Sequence, residues 1–411
     1  VTATFVHLGD THLHASPRQA DRLRALDQVI EAGRAMPNLS AWLWPGDLFD
    51  ALSSINDRNA LKERVKLMAS RAPVVVCYGN HERPGDLDIF ADLGTTWPIV
   101  VVDTPKTLSL TLATGQTATI FVLPFPTAAG LVSAGVAPGD IVQTARQALE
   151  AIFLDAAAQL EAARARGDLT LMIGHVNVAG SLTSVGQPNI GQEIELDPAL
   201  LARLGDCYKG LNHIHKAQQI GGAYYPGSIC RLSWGEIEPK GYLTVTYDGF
   251  VYTVTSHQVD VHPMYHVEGW LSIDALDDFA VMAGPDGEPL DAPPSWRGCE
   301  VRVRARYHQS ARKVLELAKA HVLALFAEAA RLDLELIAVP DRALRAPAVA
   351  AARTLIDKVR AWAEVSAVVV TDAALAKLPA LEHGDHDTTV AECEQLVGAL
   401  VRVIEEDEVP A

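Results

Sequence analysis

The chain has 411 residues, 49% of them hydrophobic and 21% charged, which excludes a disordered protein and exceeds what one typical core organises. A formal net charge of −17 argues against an autonomous, generally sticky nucleic-acid binder, since that mode works by neutralising phosphates, although it leaves room for a nuclease. No apolar stretch reaches the roughly 20 residues a membrane span needs, the first residues enter a strand without a signal-like segment, and the five cysteines are scattered without CxxC spacing. A cytoplasmic protein with reduced thiols and no membrane association is therefore expected.

Residues 3–8, 41–45 and 74–78 are apolar enough for strands buried on both faces, and residues 18–35 and 57–70 between them have helical spacing. This alternation predicts βαβ units. Residues 98–103, 107–112 and 116–124 read as successive strands with a turn at Thr114-Gly115. Residues 144–166 form an amphipathic helix carrying Leu149, Ile152, Phe153, Ala156, Leu160 and Ala163 on one face. Residues 169–173, 223–225, 241–247 and 250–255 are expected to complete a second sheet. Helices outside two sheets give an α/β fold, a four-layer α/β/β/α sandwich over residues 1–260.

Residues 261–377 predict a small α+β domain. Its elements are a loop at 284–294, a strand at 300–306, a helix at 310–332 and a strand at 334–339. A helix at 347–363 follows, with Pro347 at the tolerated first position, and then a strand at 367–371. Residues 378–411 carry Thr389-Val390-Ala391-Glu392, which fits a helix capping box, and run through Leu396, Leu400, Val403 and Ile404 into an acidic tail. That helix is read either as packed on its own domain or as a docking element for a partner. His383-Gly384-Asp385-His386-Asp387 is read as a solvated loop rather than a metal site.

Metal-binding side chains recur where strands end: Gly9-Asp10-Thr11-His12, Gly46-Asp47-Leu48-Phe49-Asp50, Gly79-Asn80-His81-Glu82, Gly174-His175 and Asn212-His213-Ile214-His215. Each alone has a bland reading as a turn, a helix cap or a hydrogen-bonded core histidine. Together, in this order, they predict convergence on one spot, as open α/β sheets place their sites. Mixed hard and borderline donors suit a pair of Mn-, Fe- or Zn-type ions better than Ca or Mg alone.

These ordered motifs resemble the calcineurin-type metallophosphoesterase superfamily. Within it, His7-Leu8-Gly9-Asp10-Thr11-His12-Leu13, Gly46-Asp47-Leu48-Phe49-Asp50, Tyr225-Pro226-Gly227-Ser228 and His213-Ile214-His215-Lys216 resemble SbcD-type DNA repair nucleases, over roughly residues 3–256. The resemblance implies a metallophosphoesterase sandwich with a capping domain, two divalent ions (Mn(2+) foremost) and exonuclease, with endonuclease, activity on DNA. It also implies an SbcC-like coiled-coil ATPase partner and a homodimer formed through helices near residues 57–70. A small-molecule phosphodiesterase or phosphatase is the alternative on the same scaffold. Two positions depart from the pattern: Asn212 stands where Gly is usual before the His-x-His pair, and Glu82 stands where Asp is frequent.

By the same resemblance Asp47 bridges the two ions, Asp10, His12 and His215 complete one site, and Asn80, His175 and His213 complete the other. His81 is implied as the acid that protonates the leaving group, a task suited to imidazole, with a ligand or structural role as the alternative. Asp50 and Glu82 are expected to hydrogen-bond to ligands or backbone. His7 is expected as a buried, hydrogen-bonded residue and His14 on the surface. Tyr225, Gly227 and Ser228 are expected either to offer donors to DNA phosphates or to form a strand-ending turn. Arg302, Arg304 and Arg306 alternate on one strand face, as a DNA-backbone contact or, slightly preferred, as a solvated face paired with carboxylates.

Overall fold

The apolar runs of the N-terminal half become strands whose two faces are both covered. In this computed structural model the described residues are 2–132, 138–187, 194–271, 279–282, 288–309, 315–340, 347–366, 368–376 and 378. The chain divides into two units, Val1–Tyr307 with Ala311–Ala338, and His308–Ser310 with Val339–Ala411.

In the first unit β1 (Ala3–His7), α1 (Gln19–Arg34), β2 (Leu39–Trp44), α2 (Ile55–Ala69), β3 (Val74–Cys77), α3 (Asp88–Ala91) and β4 (Ile99–Val102) follow one another. Strands β1 to β4 pair in parallel, as βαβ units require. Next come β5 (Lys106–Thr111), β6 (Thr117–Leu123), α4 (Ala128–Leu131), α5 (Ile141–Arg166), β7 (Leu169–His175), α6 (Pro198–Arg203), β8 (Tyr208–Asn212), β9 (Gln218–Ile220) and β10 (Ala223–Tyr225). They build a second sheet in the order β5-β6-β7-β8-β10-β9.

The next hairpin, β11 (Gly241–Tyr247) and β12 (Tyr252–Gln258), corrects the sequence expectation. It belongs to the first sheet, where β11 runs antiparallel to β1 with Phe5 opposite Val245, giving the order β12-β11-β1-β2-β3-β4. Strand period decides which face is buried but not which sheet a strand joins, so the sequence left this choice open.

Three apolar layers separate the elements. Val6, Trp42, Trp44, Val74 and Val76 face α1 and α2. The alternate residues Phe5, Ala41, Leu43 and Val75 meet Ile120, Val122, Leu171 and Ile173 between the sheets. Phe121 and Met172 meet Leu149, Phe153, Ala156 and Leu160 of α5 beyond the second sheet. The result is the α/β/β/α sandwich expected of a metallophosphoesterase. All the parallel strands of both sheets end at one edge.

A third sheet follows: β13 (Met264–Trp270), β14 (Ala280–Met282), β15 (Pro289–Leu290), β16 (Glu300–His308), α7 (Leu315–Leu325) and β17 (Arg331–Val339), in strand order β15-β14-β13-β16-β17. Val322 and Phe326 cover Val267, Val301 and Val303. The helix expected through residue 332 stops at Leu325 although helix formers continue. The Ala330 N–H is instead bound by the Cys299 carbonyl at 2.8 Å, so tertiary pairing overrides propensity. Residues 310–314, where that helix was expected to begin, lie outside the described residues.

In the second unit the expected helix 347–363 is two, α8 (Pro347–Ala351) and α9 (Leu355–Ser366), because the Thr354 hydroxyl caps the Asp357 N–H at 3.2 Å and starts a new helix. Residues 368–371 are not a strand; Thr371 caps α10 (Asp372–Leu375). The expected C-terminal helix and acidic tail fall at residues 379–411, outside the described residues, as does the segment His383 to Asp387. Among the described residues no helix is long and apolar enough to cross a membrane.

Candidate dinuclear metal centre

The strand ends of β1, β2, β3, β7 and β8 bring Asp10, His12, Asp47, Asn80, His175, His213 and His215 into one buried cluster. Asp47 lies at its middle: one carboxylate oxygen is 3.4 Å from His12 Nε2 and 3.2 Å from His175 Nε2. On one side His12 Nε2 and His215 Nε2 are 3.0 Å apart. On the other, the Asn80 side-chain oxygen is 2.9 Å from both His175 Nε2 and His213 Nδ1. Asp10 lies behind, 3.8 Å from His175 Nδ1, and accepts the His213 N–H.

Such crowding of donor atoms has a backbone cause. His12, Asp47 and His213 have φ of 48°, 51° and 98°, the left-handed region that L-residues adopt at a cost of about 1–3 kcal/mol each. The chain turns sharply as it leaves each strand, which throws the side chain back over the sheet edge. Gly79 is required by proximity: a Cβ there would lie 2.1 Å from Asp47 Oδ1. Gly46, at φ 95°, admits the His175 ring, whose Nδ1 a Cβ would meet at 2.5 Å.

Neighbouring groups fix the imidazoles. His175 Nδ1–H donates to the Pro45 carbonyl at 2.8 Å, which turns Nε2 toward Asp47 and Asn80. His12 Nδ1–H donates to Asp50 at 3.1 Å, with the same effect. Glu82 reaches no donor nitrogen of the cluster. It accepts the N–H groups of Asp47, Phe49 and Gly79 at 3.1, 3.0 and 2.7 Å and so clamps two of the turns together. Asn212 links His7 to the backbone: the Tyr208 hydroxyl meets His7 Nδ1 at 2.7 Å, His7 Nε2 meets the Asn212 side-chain oxygen at 3.1 Å, and the Asn212 amide donates to the Leu8 carbonyl. Both departures from the resembled pattern are thus occupied in holding turns in place.

The electrostatics are those of a cation site. Burial pushes the Asp10 carboxyl well above its usual range, helped by neighbouring Asp47. Burial and then Asp47 push Glu82 up to about 7. Burial acts on Asp47 in the same sense, but the His175 and His12 imidazoles outweigh it and hold this carboxyl low. Burial opposes protonation of His175, yet the Asp47 and Asp10 carboxylates raise it to about 9. His12 and His215 are driven down by burial. Two buried acids among several imidazoles make a mixed oxygen and nitrogen donor set that divalent ions fit. Among the described residues two overlapping groups could hold a metal ion, His12 with Asp47 and His81, and Asp47 with His175 and His213.

His81 stands at the rim. Its side chain is 34% exposed, Nδ1 donates to the Asp50 carbonyl, and its backbone N–H meets Asp47 at 3.2 Å. Nδ1 of His14 contacts the Asp50 carboxylate at 2.9 Å.

Tyr225 and Ser228 are buried, and their hydroxyls donate to the Val176 and Cys230 carbonyls at 2.7 and 2.8 Å, so neither is available to a phosphate. Gly227, at φ 80°, packs against the His215 carbonyl. Arg302 pairs with Glu335 at 3.0 Å, Arg304 with Glu335 at 2.9 Å, and Arg306 with Glu268 at 3.0 Å. The stripe is matched by carboxylates.

Sequence reading missed Gln187, Arg22 and Lys240. Arg22 donates from α1 to the His12 carbonyl. Lys240 is buried, pairs with Glu236 at 2.8 Å and donates to the His215 carbonyl at 3.2 Å. A Glu-x-x-x-Lys spacing at residues 236–240 was the only available signal for the latter, and it is common on surfaces.

Residues 3–182 match the family model described as calcineurin-like phosphoesterase. No curated protein matches the chain. The matched stretch, under half of the chain, is similar to a calcineurin-like phosphoesterase domain, and the cluster carries donor groups of the kind that hold metal ions. His213 and His215 lie beyond the matched stretch and join the same cluster.

Proposed function

We propose that the protein is a dinuclear-metal-dependent DNA phosphodiesterase of SbcD type, an exonuclease with endonuclease capacity that uses Mn(2+) and acts in DNA end processing and repair. The observation that carries the reading is the convergence of Asp10, His12, Asp47, Asn80, His175, His213 and His215 beneath a partly open His81. Asp10, His12 and His215 would hold one ion, Asn80, His175 and His213 the other, and Asp47 both. Ions bound there acidify a water and neutralise charge at phosphorus.

The chain's own groups supply the remainder. Pro45 and Asp50 fix the His175 and His12 tautomers, so lone pairs rather than N–H groups face the ions. The Glu82 clamp keeps Asp47 and Asn80 in register. His81, with Nδ1 held by the Asp50 carbonyl, keeps Nε2 for delivering a proton to the leaving oxygen.

DNA as substrate is supported by the SbcD-like segments, which continue past the matched domain to residue 256, and by the third sheet that follows. An SbcC-like ATPase would offset the repulsion between DNA and a chain of net charge −17. The exposed Ile55 and Leu67 on α2 are compatible with a homodimer through that helix.

The test supplies Mn(2+) and compares end-labelled duplex and hairpin DNA with a chromogenic phosphodiester and a cyclic nucleotide. Metal-dependent cleavage of DNA is the expected result. Turnover of the small substrates alone would remove DNA from the proposal and leave a small-molecule phosphoesterase.

A further inference from the structure

Beyond β8 the chain leaves the sheet. Its last paired residue is Asn212, opposite His175, and His213 then turns into the left-handed region at φ 98°. The two histidines that follow therefore lie beyond the β8 ladder, as Asp47 and Asn80 lie beyond theirs. Their backbone groups are held by other means. The His213 N–H donates to Asp10 at 3.2 Å, and the His215 carbonyl accepts from the Ser228 N–H at 3.1 Å and Lys240 Nζ at 3.2 Å.

The two groups between them meet one side chain. Gln187 Nε2 donates to the His213 carbonyl at 2.6 Å, and Gln187 Oε1 accepts the His215 N–H at 3.0 Å. In a parallel ladder one residue of a neighbouring strand donates to residue i and accepts from residue i+2. The Gln187 carboxamide makes this pair of bonds, so it takes the place of a strand residue where the sheet has stopped. Only an amide side chain of this length offers donor and acceptor side by side.

The described residues on either side of Gln187 have anchors of their own. Ser184 is bonded to Glu238, the Leu182 backbone exchanges two bonds with the Gln218 side chain at 2.9 and 2.7 Å, and Val178 bridges Leu196. We infer that Gln187 is a positioning residue for both halves of the metal centre: it sets the spacing of His213 and His215, which belong to different ions. This rests on the dinuclear reading above.

The experiment titrates the full chain with Mn(2+) alone, counting bound ions by the EPR signal of free Mn(2+), and records the thermal midpoint of the metal-free protein. Wild type should bind two ions. Gln187→Ala should bind both about 10–100-fold more weakly with an unchanged metal-free midpoint. Gln187→Glu keeps side-chain size and acceptor but sets a second oxygen against the His213 carbonyl, so it should weaken both ions at least as much. It decides the matter should the alanine variant unfold. Wild-type affinity in Gln187→Glu, or weakening of one ion only, overturns the role of Gln187 while leaving the centre intact. A wild-type chain that binds no Mn(2+) overturns the centre itself.

Discussion

His81 differs from the other imidazoles of the cluster in being one-third open, and like His175 it has its Nδ1 committed to a backbone carbonyl. Replacing it by alanine should leave two bound ions and lower turnover by about 10²–10⁴-fold, checked by metal analysis beside single-turnover rates. Loss of an ion instead would make it a ligand. Gly79→Ala should do the reverse: a Cβ 2.1 Å from Asp47 Oδ1 displaces that carboxylate, and Mn(2+) affinity should drop about tenfold or more by calorimetry. His7 supplies a pH dependence. Burial pushes its pKa down to about 3, so between that value and about 6.5 only the unfolded chain takes up this proton. The stabilisation is complete above pH 6.5 and is lost as pH falls, by up to ~1.4 kcal/mol per pH unit. Urea unfolding of the metal-free protein at pH 7, 6 and 5 should give a shallower slope for His7→Gln than for wild type. At this scale the converging side chains were legible, because a polar residue after an apolar run is conspicuous. Gln187 was not: a single glutamine in a polar stretch carries no pattern, and its partners are backbone atoms that any sequence would provide.

At the scale of elements, what the sequence disclosed followed burial. β2, β3 and β7 are covered on both faces and read as mostly apolar runs. α5 showed its stripe because one face packs on the second sheet. Truncating that stripe at Phe153, which is fully buried and packs edge-on against Phe121 with ring centroids 5.3 Å apart, should cost about 3–5 kcal/mol in equilibrium denaturation without changing the number of bound ions. The hairpin β11–β12 was seen as strands but assigned to the wrong sheet, since alternation carries no information about neighbours. The end of α7 was missed because the Cys299 carbonyl captures Ala330 from a distant part of the chain.

At the scale of the molecule, the centre gathers buried acids whose charge bound cations would balance. Chelation should therefore lower the thermal midpoint, and Mn(2+) at a hundred times its Kd should restore about 2.7 kcal/mol per ion. The midpoint should depend on metal concentration; a flat response would contradict the cation site. The first sheet has a further consequence through β1, which sits between β2 and β11 with Ala3 opposite Tyr247. During synthesis β1 must wait until β11, which starts at Gly241, has emerged before its second edge is covered. A fragment ending at residue 182, where the family match ends, would expose that edge and lack two of the clustered histidines, so it should aggregate. The shortest fragment able to fold alone should reach at least Gln258, and a nascent chain halted short of that length should remain open to proteases until the ribosome moves on.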